Sequence, residues 1–160
     1  MKKLIYLTGI FLTNFLTNAQ DLTKKELKDY SFEYPTEWKF QSPGGFGEDL
    51  QLSIPEENGY GHITIYKEPK ENSFEAEVKK AREIITMGGQ NEKNYSKVNQ
   101  NLYKLTTETN DPFDNSIINI EYYFYDYKTD YVTVSAFYTP KNKTYFEPYL
   151  KKFLDSFKLK

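Results

Sequence analysis

The scarcity of histidine and cysteine removes most routes to covalent or metal chemistry in this chain. There is one histidine, His62, and no cysteine among 160 residues. Thiolate catalysis, disulfides and thiolate metal sites are therefore excluded. A zinc site built from several histidines cannot be assembled within one chain. A Ser-His-Asp triad would have to use His62, and the sequence holds no Gly-x-Ser-x-Gly elbow to present a serine. Glu108, Asp111 and Asp114 lie around Pro112 and offer oxygens to calcium. Their spacing is not that of an EF-hand and the glycine of that loop is missing, so the segment reads as an acidic turn.

Gly44-Gly45-Phe46-Gly47 has no following Lys-Ser/Thr and opens no helix, so it is not a phosphate loop. It reads as a surface loop that presents one aromatic ring, Phe46. Carboxylate hydrolysis needs only two acids, and composition allows it, but no segment singles out a pair. No residue is thus assigned a catalytic or metal-binding role, and no cofactor is expected. Phe46, Tyr60, His62 and Tyr66 are the candidate binding residues. The motive is an aromatic surplus of 15 Tyr, 12 Phe and one Trp. Tyrosine buries its ring while its hydroxyl stays wet, so most of these rings belong to core and sheet and a smaller share to a binding surface.

The elements that position these residues begin behind a leader. Lys2 and Lys3 precede a mostly apolar run from Leu4 to Leu16, and Thr17-Asn18-Ala19 follows. This is the order of a secretory signal, with cleavage expected after Ala19. The run is too short to span a bilayer, and no later segment can. The expected location is periplasmic or secreted. Removing residues 1–19 takes away two lysines and no acid, leaving a net charge of about −4. Export and acidity both argue against nucleic acid. The lysines near the C-terminal end (Lys141, Lys143, Lys151, Lys152, Lys158 and Lys160) read as a solvated face.

Residues 20–29 form a charged lead-in or one helical turn. Tyr30 to Phe40 reads as a pair of short strands around Pro35, with Tyr30, Phe32 and Tyr34 on one face and Trp38 just after the turn. Leu50, Leu52 and Ile54 mark a further strand. In His62 to Tyr66, Ile63 and Ile65 face away from His62, Thr64 and Tyr66. Phe74, Val78, Ala81 and Ile85 make one helical stripe, opened by Asn72 with Glu75 and ended by Gly88-Gly89. Leu102 to Thr109, Ser116 to Tyr125 and Tyr131 to Thr139 are strands, the last two joined by a turn of about five residues. Thr144 and Glu147 open a second helix with Phe146, Leu150, Phe153 and Leu154 inward, and Ser156 to Leu159 closes as a strand. This order gives one α+β domain with helices packed on an antiparallel sheet covered on both sides.

Phe32-Glu-Tyr-Pro-Thr-Glu-Trp38 resembles the opening of PsbP-like domains, and Leu154-Asp-Ser-Phe-Lys158 resembles the helix-to-strand ending of the same superfamily. Together they bracket a domain over residues 30–160. The resemblance implies an α-β-α sandwich around an antiparallel sheet, and members that act mostly as binding or assembly factors. It carries over no functional residue. The first expectation is therefore an exported non-catalytic binding or assembly-accessory protein with a protein partner. The second is a small-ligand or glycan-binding module that presents Tyr60, Tyr66, Tyr123, Tyr125 and Tyr127. The third is a carboxylate-based hydrolase. The sequence assigns no oligomeric state.

Overall fold

The computed structural model describes residues 21–44 and 48–160. Seven strands form one antiparallel sheet: β3 (Lys39–Gln41), β4 (Leu50–Ser53), β5 (Gly61–Pro69), β6 (Asn91–Asn99), β7 (Leu102–Asn110), β8 (Ile117–Tyr127) and β9 (Asp130–Tyr138). Their spatial order is β3-β4-β5-β9-β8-β7-β6. A second sheet of three strands, β1 (Leu22–Glu26), β2 (Tyr30–Pro35) and β10 (Lys158–Leu159), has β2 at its centre. Helix α1 (Phe74–Met87) packs on one face of the large sheet, and helix α2 (Lys143–Ser156) with β2 packs on the other. The result is the α-β-α sandwich around an antiparallel sheet, in a single domain.

Period-two alternation divides the large side chains between two cores. Leu50, Leu52, Ile63, Ile65, Val132, Val134 and Ala136 meet Phe146, Leu150 and Phe153 of α2, and Tyr30, Phe32 and Tyr34 of β2. Tyr103, Leu105, Ile118, Ile120, Tyr122 and Phe124 meet Phe74 and Val78 of α1.

Several local readings are corrected. Residues 22–26 form an edge strand paired with β2, not a helical turn. Tyr30 to Phe40 is not a strand pair: β2 and β3 belong to different sheets, and the turn in which the Trp38 N–H donates to the Pro35 carbonyl (2.9 Å) carries the chain between them. Ser73, not Asn72, caps α1, its hydroxyl accepting from the Ala76 N–H at 3.3 Å. The carboxylate that reaches back is Glu77, which accepts from the N–H groups of Asn72 (2.7 Å) and Glu71 (3.1 Å). Thr144 does not cap α2, which starts one residue earlier behind the short turn Pro140–Asn142. The β8–β9 hairpin closes on two residues, with Tyr127 opposite Asp130 and Lys128 at φ 49°. Lys143 and Lys151 pair along α2 with Glu147 and Asp155, as a solvated face does.

Candidate functional site

Helix α1 covers only part of its sheet face, since a helix about 10 Å wide spans two to three strands. Beside it lies a trough of about 380 Å³. Lys80, Ala81, Ile84 and Ile85 of α1 form one wall, Tyr66 and Glu68 of β5 the other, and Thr133 and Ser135 of β9 lie between them. The floor is low because β9 places small residues where β8 places Tyr122 and Phe124; the register sets Ser135 against Tyr122 and Thr133 against Phe124. At one end the Tyr131 hydroxyl donates to Glu68 at 2.8 Å. At the other, Tyr122 and Gln90 are hydrogen-bonded, and Thr107 donates to Gln90 at 2.6 Å. Burial, with Glu48 beside it, pushes the Tyr66 phenol up to about 12.

A second surface lies at the end of the large sheet where β7 turns into β8. Phe113 is 96% exposed there, with Ile117 and Tyr60 also open to solvent. The turn that carries Phe113 is closely hydrogen-bonded. The Asp111 N–H donates to the Ser116 carbonyl at 2.7 Å, and the Asn115 N–H to the Asp111 carbonyl at 2.9 Å. Asp111 and Asp114 carboxylates accept from the N–H groups of Phe113 (2.7 Å) and Ser116 (2.8 Å). Next to it Tyr60, Ser116, Ile117, Pro140 and Lys141 line a shallow hollow. Asn142 of the α2 entry holds Tyr60 by donating to its carbonyl.

The candidate residues from sequence fall into separate places. Phe46 lies outside the described residues, as do residues 1–20. Tyr60 packs its edge on His62 (5.1 Å), and His62 stacks on Phe137 (4.4 Å) at the sheet's end. Burial depresses His62 to about 4, with Glu48 opposing, so the imidazole is neutral near pH 7. Tyr66 is further along the same face, in the trough. The five tyrosines proposed to share a surface do not. Tyr123, Tyr125 and Tyr127 face the α2 side, opposite Tyr66; Tyr127 is buried, and Tyr125 packs on Phe157 at 5.2 Å. Glu108, Asp111 and Asp114 serve separate partners, Glu108 pairing with Lys93 and the two aspartates capping the turn. Among the described residues no three His, Cys, Asp or Glu side chains gather as a metal site.

One buried carboxylate stands out on the α2 side. Glu121 accepts from Lys104 (2.6 Å), Tyr123 (2.5 Å) and Tyr138 (2.8 Å). Burial alone would raise it, yet the Lys104 and Tyr123 hydrogen bonds prevail and hold it below the ordinary carboxyl range. Tyr138 also reaches Glu147 at 3.5 Å. A hydrolytic pair needs one acid held protonated and one ionised. Glu121 is ionised and ion-paired with Lys104, so this cluster reads as structural.

Sequence reasoning missed Thr133, Ser135 and Phe113. The available signals were two hydroxyl residues at alternate positions of an otherwise bulky strand, and a phenylalanine inside a Pro-Asp-Asn turn.

No family model and no curated protein matches the sequence. Solved structures do share its fold. CyanoP, the cyanobacterial PsbP of Synechocystis, superposes with a TM-score of 0.61 at 10% identity, covering 95% of this chain and 100% of its own. LpqN of Mycobacterium tuberculosis, involved in cell envelope biogenesis, superposes with a TM-score of 0.59 at 8% identity over 87% of this chain and 90% of its own. A Pseudomonas aeruginosa protein of unknown function gives 0.51 at 13% identity, over 81% and 91%. At such identities a likeness speaks for architecture and not activity. The chain folds as CyanoP does, so the architecture implied by its Phe32–Trp38 and Leu154–Lys158 motifs is a PsbP-like fold.

Proposed function

We propose that this is an exported, non-catalytic protein that binds a protein partner in the bacterial envelope and assists an assembly there. The observation that carries the reading is Phe113. A fully exposed phenyl ring gains nothing for folding, yet five hydrogen bonds fix the turn that presents it. A ring fixed before binding loses little entropy when a partner covers it. Ile117 and Tyr60 extend the apolar area around it. The structural likeness to LpqN, a protein of envelope biogenesis, is in keeping with this place of action. Export rests on the basic, apolar and small-residue order of residues 2–19.

The test is a photo-crosslinking residue at position 113 in the living host, with the same residue at position 128 of the opposite hairpin as control. A discrete adduct from 113 and none from 128 supports the contact. No adduct, or the same adducts from both positions, overturns it.

A further inference from the structure

The trough beside α1 is independent of the contact at Phe113, and one end of it carries charge. The β5–β9 register sets four side chains there as a two-by-two patch: Tyr66 lies opposite Thr133, and Glu68 opposite Tyr131. All four line the trough. Glu68 is exposed, and among the described residues its one hydrogen bond comes from the Tyr131 hydroxyl at 2.8 Å. The nearby lysines serve other acids. Lys67 and Lys70 pair with Asp29 and Asp126, and Lys80 lies 3.9 Å from Glu71. Among the described residues no lysine or arginine pairs with Glu68. Glu77, also in the lining, is held below the ordinary carboxyl range by hydrogen bonds from Asn72 and adds a second negative charge. Burial raises the Tyr131 phenol, and Glu68 and Glu77 raise it further, so the ring stays neutral in a negative surrounding.

That charge selects what can fill the trough. A ligand that occupies it takes water away from Glu68. Under a neutral or anionic ligand the carboxylate would lose that water without compensation, which is costly. A cation replaces the water with a charge-assisted hydrogen bond, and the Tyr66 and Tyr131 rings favour the same sign. A hard metal ion does not suit the site, because it takes six or more oxygens, and among the described residues no three His, Cys, Asp or Glu side chains gather. The rest of the trough is hydrocarbon. Ala81, Ile84 and Ile85 follow Glu77 along α1 over about 12 Å. Ile84 is 61% exposed and gains by being covered. The occupant therefore has one positive end and an apolar body.

We infer that the trough binds a primary alkylammonium ion, its head between Glu68 and the Thr133 hydroxyl and its chain along Ala81, Ile84 and Ile85. A primary head fits because it only donates hydrogen bonds, and carboxylate and hydroxyl oxygens accept them. A volume of about 380 Å³ lies in the range of small-ligand sites.

Hexylammonium, hexanol and hexanoate share a chain and differ in the head, so NMR titrations of the protein with each at pH 7 test the charge. Hexylammonium should give saturable shifts on Tyr66, Ala81, Ile85, Tyr131 and Thr133. It should bind at least about tenfold more tightly than hexanol, and hexanoate should bind more weakly than hexanol. Glu68→Gln removes the charge and keeps an acceptor for Tyr131. This variant should weaken hexylammonium by about tenfold and leave hexanol unchanged. The inference is overturned if hexylammonium moves none of these residues, or if hexanol or hexanoate binds as tightly. It is equally overturned if Glu68→Gln leaves the hexylammonium affinity unchanged. None of these outcomes bears on crosslinking from position 113.

Discussion

Trp38 lies flat on Phe146, ring centroids 5.5 Å apart and planes 11° from parallel. Tyr138 of the large sheet stacks on the same phenylalanine at 5.2 Å. Phe146 thus sits between the turn that follows β2 and the end of β9, and joins both sheets to α2. Trp38 is 3% exposed, and Tyr149 closes its edge at 6.0 Å. Trp38→Ala should cost about 3–5 kcal/mol by transfer and cavity terms, and lower the melting temperature by about 10 °C. Trp38→Phe keeps part of the stack and should lose about half as much. Thermal unfolding followed by circular dichroism checks both, and an unchanged melting temperature for the alanine variant would refute the role given to the stack.

Gly61 approaches the same cluster from β5. A Cβ there would lie 3.0 Å from Phe146 Cδ2, 3.1 Å from Ile54 Cδ1 and 3.3 Å from Asn142 Nδ2. Three neighbours on two sides of a packed core cannot all withdraw. Gly61→Ala is expected to cost about 1–3 kcal/mol, read from the denaturant midpoint at constant slope.

His62 sets an acid limit to stability. Burial depresses it from 6.5 to about 4. Between these values the unfolded chain takes up a proton that the folded chain refuses. Its contribution is therefore complete above pH 6.5 and is lost as the pH falls to about 4. The loss approaches about 3 kcal/mol for this one group. His62→Phe keeps a ring against Phe137 and does not titrate. Denaturant titrations from pH 7 to pH 4 should show a shallower decline for that variant, and parallel curves would rule His62 out.

Lys104 and Glu121 form a charge pair in which the carboxylate is the buried member, with side chains 31% and 10% exposed. Glu121 is held below the ordinary carboxyl range, so its contribution is present above that range and is lost as pH falls through the depressed value. Lys104→Met leaves a buried carboxylate without its cation and should cost about 1–3 kcal/mol at pH 7. The sign of the pH dependence should also reverse, since burial without the lysine favours the protonated acid. Adding Glu121→Gln should recover most of the loss, and a double-mutant cycle measures the coupling.

Wherever a strand has a dry face, its pattern was readable. Ile118, Ile120, Tyr122 and Phe124 share one face of β8, and Val132, Val134, Ala136 and Tyr138 share one of β9, as alternation requires. The α1 stripe from Phe74 to Ile85 was equally plain. Strands β1 and β6 were not, because both are edge strands whose side chains stay largely in solvent. Asn-Glu-Lys-Asn-Tyr-Ser-Lys-Val-Asn has no apolar period, and two register shifts against β7 interrupt it further. The cap of α1 was off by one residue because Asn72, Ser73, Glu75 and Glu77 all suit a cap, and packing of Phe74 chose among them.

By itself the sequence determined the helix stripe, the paired faces of the long strands, the motifs at the two ends of the domain and, having no cysteine, the exclusion of thiolate chemistry. These follow from residue type and local period, which a chain carries regardless of its partners. Only the tertiary structure decided which tyrosines share a face, that β2 and β3 part into separate sheets, and that Thr64, Thr133 and Ser135 form one strip. The strip exists because β5 and β9, some 70 residues apart in the chain, pair in a register that sets Thr64 against Ser135. That register is fixed by burying Ile63, Ile65, Val134 and Ala136 on the opposite face, and a slip of one residue would expose them all.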